Sequence, residues 1–293
     1  MPLVTKQSPR AVKPPPLPQT HATNDLGIKL SCYGRAKVGK TRLASTFPKP
    51  LIIIGTEDGT KSIATGRKLK AQLPDGPVIY SLLVQGREIG IDFALVNRSA
   101  WIAPLIDRAK RGYASLCLDH AGGLQDIVLK EVLGLEEIPL QGSWGMAQQS
   151  QWQAIGAQMK KHLRDFLDLA DTGTNLIIIS HERNFGMDEQ ASDVMVPSVG
   201  AALMPSVSGW LSTACDYLCQ AYVAEEVVTQ EMTIAGKVTK MAQKSGKIEY
   251  RLRIGPHPVF ATGFRLPDGV VLPDSINNPS YHKLIKLIAG ESV

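Results

Sequence analysis

No run of apolar residues in this chain approaches the roughly 20 needed to cross a bilayer as a helix. The first residues also lack the apolar core of a secretory signal. A cytoplasmic protein is therefore expected. Cysteine is scarce: Cys32, Cys117, Cys215 and Cys219 are the four in the chain. The first two fall inside apolar, strand-like runs, where cysteine acts as a small core residue. Cys215 and Cys219 form a C-x-x-x-C with no second pair to complete a metal tetrad. Nothing in that count and spacing implies a disulfide framework. Charge of one sign is also modest, with 32 Lys and Arg against 27 Asp and Glu giving +5, too little to identify a partner. There are no internal repeats, so no repeat architecture is expected.

What the chain does have is an octapeptide, Gly34-Arg35-Ala36-Lys37-Val38-Gly39-Lys40-Thr41, directly after the apolar run 28–33. It spells G-x-x-x-x-G-K-T, the phosphate-binding P-loop. The two glycines let the chain curl so that successive backbone N–H groups point at phosphate oxygens. Lys40 can then reach the β- and γ-phosphates, and the Thr41 hydroxyl can take a place on Mg²⁺. A helix beginning near Gly39 adds its positive end to the cradle. A nucleoside triphosphate, ATP with Mg²⁺, is the expected ligand.

The rest of the chain supplies a setting for that loop. Residues 1–25, with Pro9, Pro14, Pro15, Pro16 and Pro18, read as a disordered leader. From residue 26, apolar runs at 28–33, 51–54, 77–83, 113–118 and 175–179 alternate with helix-like stretches at 39–46, 100–111, 121–134 and 147–170. Uninterrupted runs of this kind predict strands buried on both faces, hence an open, mainly parallel sheet flanked by helices. At 293 residues and 44% apolar content, the chain can bury a sizeable core. The domain is expected over 26–275. Residues 183–210 read as a long loop with short structured pieces, functional or mobile. Antiparallel strands are predicted at 214–223, 229–241 and 247–262, with turns at Ala235-Gly236 and Ser245-Gly246. Residues 276–293 carry a short docking helix with Leu284, Leu287 and Ile288 on one face.

Ligands of such sheets bind at the carboxyl ends of the strands, so residues just after each run are candidates. Asp119 ends the run Leu116-Cys117-Leu118. It is either a Mg²⁺-associated acid, directly or through water, or the cap of a helix beginning near Ala121. His120 stands where many ATPases carry a catalytic Glu. Glu57 follows the run 51–54, expected beside the P-loop strand, where it would orient water toward the γ-phosphate; the alternative is an exposed turn acid. His181 follows the run 175–179 and is either a γ-phosphate sensor or a polar strand end. Lys237, Lys240, Lys244, Lys247, Arg251 and Arg253 form a basic strip against the single Glu249, suited to a polyanion or to a solvated hairpin face.

Together, G-R-A-K-V-G-K-T, F-P-K-P-L-I-I-I-G-T-E-D-G, Y-A-S-L-C-L-D, N-L-I-I-I-S-H-E and V-P-S-V-G resemble the RecA-like P-loop ATPases. The chain is most similar to the phage-encoded nucleotide-binding proteins of that group, which include single-strand annealing and recombination proteins. The resemblance covers roughly residues 27–275. It implies an α/β RecA-like fold, Glu57 as catalytic glutamate, Asp119 as the Walker B acid and His181 at the γ-phosphate sensor position. Lys247, Arg251 and Arg253 become candidates for a neighbouring subunit's active site or for DNA phosphates. The implied activity is DNA-stimulated ATP hydrolysis on single-stranded DNA in recombination, annealing or repair. Implied partners are further copies of the chain, in a ring or filament, and a single-strand-binding protein. The host cytoplasm is the location if the chain is phage-encoded. A small-molecule or nucleotide kinase, or an assembly factor with structural ATP, stays open as an alternative.

Overall fold

The apolar runs become strands because both of their faces are covered, and the order of those strands decides which tips meet. The structure, a computed structural model, describes residues 26–56, 68–72, 78–84, 87–109, 112–135, 147–185, 198–234 and 237–292. In chain order the first elements are β1 (Lys29–Tyr33), α1 (Lys40–Ala44), β2 (Leu51–Gly55), β3 (Lys68–Gln72), β4 (Val78–Val84) and β5 (Arg87–Leu95). Then come α2 (Ile102–Ala109), β6 (Ser115–Asp119), α3 (Ala121–Leu133), α4 (Gln149–Leu167) and β7 (Asn175–Ser180). The last group is β8 (Glu182–Asn184), β9 (Val199–Ala201), α5 (Pro205–Ala214), β10 (Tyr217–Ile234), β11 (Lys237–Arg253), β12 (Gly263–Phe264), β13 (Ser275–Asn277) and α6 (Tyr281–Ile288).

One sheet runs β13-β11-β10-β1-β7-β6-β2-β5-β4-β3, with β12 added on β10, while β8 and β9 pair separately. Strands β10, β1, β7, β6, β2 and β5 are parallel to their neighbours in this central block. Strands β11, β12 and β13 on one side, and β4 and β3 on the other, are antiparallel. This is the α/β class expected from the sequence, a mainly parallel central sheet flanked by helices with antiparallel C-terminal strands. One apolar cluster joins alternate sheet residues to α2–α5 through Leu105, Leu124, Met159, Leu163 and Leu211. On the opposite face, Leu43 of α1 and Leu284 and Leu287 of α6 pack with Phe47, Ile53 and Ile177. Each such side chain, fully buried, contributes about 1.5–3 kcal/mol. Residues three apart put Leu284 and Leu287 on one helix face, and Phe47 meets Tyr281 at 4.9 Å between ring centroids.

Several expectations are corrected. Strand β2 is not beside the P-loop strand: β7 and β6 lie between β1 and β2, because the crossovers insert later strands into the middle of the sheet. Ser245-Gly246 is not a chain reversal. It is an irregularity within β11, where pairing shifts from Ile248 with Glu225 to Lys244 with Val227. Gly246 there has φ of 76°, and its N–H donates to the Glu225 carboxylate at 3.1 Å rather than to the ladder. The expected three C-terminal strands are thus two long ones, of 18 and 17 residues. Within 183–210 the short structured pieces are most of β8, β9 and the start of α5. The leader 1–25, the Ala235-Gly236 turn and residues 186–197 lie outside the described residues.

Candidate active site

The P-loop follows β1 and packs against β10, its parallel neighbour. A Cβ on Gly34 would lie 2.2 Å from the Ala221 carbonyl oxygen, so this approach admits only glycine. Gly39, at φ 89°, caps the N-terminus of α1 in a conformation that L side chains avoid. These two positions hold the loop in a curl with the Lys40 side chain folded beneath it. Lys40 is 7% exposed, and its Nζ donates to the carbonyls of Gly34 at 2.7 Å and Arg35 at 2.6 Å. Burial pulls its pKa below the ordinary lysine range, opposed by Cys32, Asp119 and Glu182. Residues Arg35, Ala36, Lys37 and Val38 complete the loop, with Lys37 also at positive φ (63°).

Strand register brings the candidates to this loop. Tyr33 pairs with Ser180 on β7, and Asp119 on β6 pairs with Ile179 and with Gly55 of β2. The Thr41 hydroxyl donates to the Asp119 carboxylate at 2.9 Å, across 78 residues of sequence. A hydroxyl and a carboxylate within reach of a phosphate cradle are the hard oxygen donors that suit Mg²⁺. His120, not Asp119, caps α3: its Nδ1 accepts from the Gly123 N–H at 3.0 Å. The helix-cap alternative for Asp119 therefore falls to its neighbour. The His120 and His181 rings meet edge to face, with centroids 4.6 Å apart, so the tips of β6 and β7 present a histidine pair.

Glu57 lies outside the described residues. The residue before it, Thr56, is fixed to the same place: its N–H donates to the Asp119 carbonyl at 2.9 Å and its hydroxyl to the His120 carbonyl at 3.3 Å.

The basic candidates differ in how far each is engaged within the chain. Arg253 donates to Gln220 Oε1 at 2.6 Å, and its guanidinium sits 4.9 Å from the Tyr222 ring centroid and 4.1 Å from that of Phe260. It is committed within its own chain. Arg251 is held by Glu249 through two nitrogens, at 3.1 and 2.9 Å. Lys247 is 80% exposed and lies 3.9 Å from Glu226, while Lys244 faces Glu225 at 3.3 Å. Such surface pairs are worth about 0–1 kcal/mol, so these lysines can exchange partners.

Two residues with no assigned role in the sequence reading are part of the site. Glu182 accepts from Arg35 Nε at 2.7 Å and from Gln220 Nε2 at 3.1 Å, and Gln220 is only 4% exposed. The relay Arg35–Glu182–Gln220–Arg253 thus runs from the P-loop to the base of the β10–β11 hairpin. Its sequence signal was the S-H-E tip itself, whose glutamate directly follows His181. Cys215 and Cys219 do not form a metal site. Burial pushes the Cys215 thiol up to about 12 and Cys219 well above the ordinary range, which opposes the thiolate a metal needs. Among the described residues no group of three His, Cys, Asp or Glu could hold a metal ion. No described helix is long and apolar enough to cross a membrane.

Comparison with known proteins gives a match to the model of an AAA domain family over residues 26–253. No curated protein matches the sequence. Among solved structures, the chain is similar to the RadB recombinase at 12% identity and a TM-score of 0.37, covering 78% of this chain and 87% of that one. It is also similar to the flagellar accessory protein FlaH from Methanocaldococcus jannaschii, at 10% identity and a TM-score of 0.33, with 87% and 86% covered.

Proposed function

The chain belongs to the AAA domain family, and from that premise we propose a DNA-stimulated ATPase acting on single-stranded DNA in recombination, annealing or repair. The observation that carries the hydrolytic half is the Thr41–Asp119 contact at 2.9 Å beneath the P-loop. A hydroxyl and a carboxylate there would suit Mg²⁺ brought in with a triphosphate. When bound, Mg²⁺ neutralises charge on the β- and γ-phosphates. The backbone of residues 34–39 binds phosphate oxygens, and Lys40 supplies the charge facing them. Glu57 orients the attacking water. His181, steadied by His120, senses the γ-phosphate.

The DNA half draws on the hairpin. Strands β10 and β11 continue past the level of Tyr33, where β10 pairs with β1. Lys244 and Lys247 stand exposed along it. The relay through Glu182 and Gln220 gives the nucleotide site a physical route to that element. Further copies of the chain in a ring or filament would place Lys247 near a neighbour's site, and a single-strand-binding protein would present the substrate. The test is steady-state ATP hydrolysis with and without single-stranded DNA, using Lys40→Ala as the blank. Stimulation that declines steeply with added salt is expected. Turnover indifferent to DNA would remove the DNA half, and absence of turnover would remove both.

A further inference from the structure

Position 35 is one that the G-x-x-x-x-G-K-T spacing leaves open, yet an arginine stands there with its side chain 84% exposed and tied to one partner. Its backbone is fixed: the Arg35 carbonyl accepts from Lys40 Nζ at 2.6 Å, so the loop closes over the lysine that faces the β- and γ-phosphates. Its Nε donates to Glu182 Oε1 at 2.7 Å. Glu182 is not a loose surface acid, its side chain being only 18% exposed. Its backbone pairs with Ala201 of β9, and the preceding His181 carbonyl accepts from the Ala202 N–H at 2.8 Å. Its second carboxylate oxygen accepts from the buried Gln220 at 3.1 Å. Two residues earlier, Ser180 lies level with Tyr33 at the start of the P-loop. The guanidinium is therefore tethered between the phosphate cradle and the strand tip that carries His181.

A fixed carboxylate at that place repels a triphosphate unless a cation covers it. Its field already reaches Lys40, whose pKa it helps to hold up against burial. Among the described residues Arg35 pairs with Glu182 through Nε, which leaves the terminal Nη1–Nη2 edge of the fork for a second oxyanion. The arginines considered for a neighbour's site are otherwise engaged: Arg253 lies between two rings with Gln220 as acceptor, and Arg251 is held by Glu249.

We infer that Arg35 is a catalytic residue supplied within the chain, its guanidinium steadied by Glu182 and clamping the γ-phosphoryl group as that group is transferred. The inference deepens the ATPase reading and rests on it. In the step concerned, a water oxygen bonds to the γ-phosphorus while the bond from phosphorus to the β–γ bridging oxygen breaks. That electron pair leaves with ADP, one water proton passes to Glu57, and the other stays on the phosphate. The transition state spreads charge over three γ-oxygens, which a planar and permanently charged fork can meet with two hydrogen bonds. Because this charge is present in a single chain, basal turnover per chain is independent of chain concentration.

Arg35→Ala, Arg35→Lys and Glu182→Gln are compared by ATP turnover and by calorimetric titration with ADP, Mg²⁺ and aluminium fluoride, which together mimic the transferring group. Arg35→Ala is expected to lower kcat about a thousandfold, the lower end for a catalytic arginine. It should weaken the fluoride complex by a similar factor while binding of ADP alone holds. Arg35→Lys should recover only part of the loss, because an ammonium lacks the fork. Glu182→Gln should cost far less, since the guanidinium remains. A mere surface ion pair predicts small and equal effects from removing either partner, and that result would overturn the inference. So would Arg35→Ala with unchanged affinity for the fluoride complex. Turnover per chain that rises with chain concentration, and is lost in Lys247→Ala alone, would give the role to a neighbour instead and overturn it too. Failure of the unaltered chain to bind ADP or ATP would overturn the P-loop reading, and this assignment with it.

Discussion

The two sides of the P-loop strand use the same sheet in opposite ways. Toward β7, β6 and β2, the strands stop at the level of Tyr33, and their last residues turn polar: Ser180-His181, Asp119-His120, Gly55-Thr56. Toward β10 and β11, the strands do not stop. Gln220 and Arg253 share the row of Tyr33, and the ladder then continues to Ile234 and Lys237. A strand that ends can aim a side chain at a ligand beyond the sheet edge. A strand that continues offers a surface and a lever. On the function proposed above, chemistry would gather on one side of the loop and recognition on the other, with Lys40 between them.

That division can be tested by how far each substitution's effect spreads. Lys40→Ala should be the most severe and should abolish nucleotide binding on both sides. Losing charge-assisted contacts of about 1.5–3 kcal/mol each predicts at least about a hundredfold loss of ATP affinity by titration, and normal binding would refute the P-loop assignment. Glu57→Gln should leave ATP affinity intact while cutting kcat by about 10²–10⁴, the usual worth of a general base. Asp119→Asn should lower kcat by about 10²–10³, on the scale of one electrostatic stabiliser, and weaken Mg²⁺ dependence. Retained Mg²⁺ dependence would assign the Thr41 contact to structure alone.

Changes on the hairpin side should be milder. Lys247→Ala should reduce the salt slope of DNA binding by about one and weaken all sequences alike. An unchanged slope would take this residue off the DNA path. The smallest effect concerns pH. Because burial lowers the Lys40 pKa, and only the charged form pairs with phosphate, ATP binding must favour proton uptake. Affinity should therefore decline as pH rises toward, but before reaching, the ordinary lysine range near 10.4. Lys40→Arg should flatten that profile, since its guanidinium does not titrate there.

Strands β1, β2, β6 and β7 and most of the helices were legible because their residues are uniformly apolar or amphipathic over a full element. By contrast, β5 was not among the expected strands, and β10, expected as antiparallel, also pairs parallel with β1. Ile52, Ile53 and Ile54 could only belong to a strand covered on both faces. Helix α5 was less so: Ser206, Ser208 and Gly209 dilute its apolar face, and Val207 and Leu211 are buried only once α4 and the sheet pack against them. The irregularity at Gly246 reads as a turn because a positive-φ glycine after serine serves both purposes, and only pairing with β10 tells them apart.

The sequence by itself determined the phosphate cradle, since the spacing of Gly34, Gly39, Lys40 and Thr41 is local and its backbone geometry follows from residue type. It also marked Asp119 and His181 as strand ends. Which ends meet was decided by tertiary structure alone. The crossovers put β6 and β7 between β1 and β2, bring Asp119 to Thr41, join His120 to His181 and close Tyr250 over Gly39. Those contacts span tens to hundreds of residues, and strand order, unlike a turn or a loop, leaves no periodic trace in the residues that obey it.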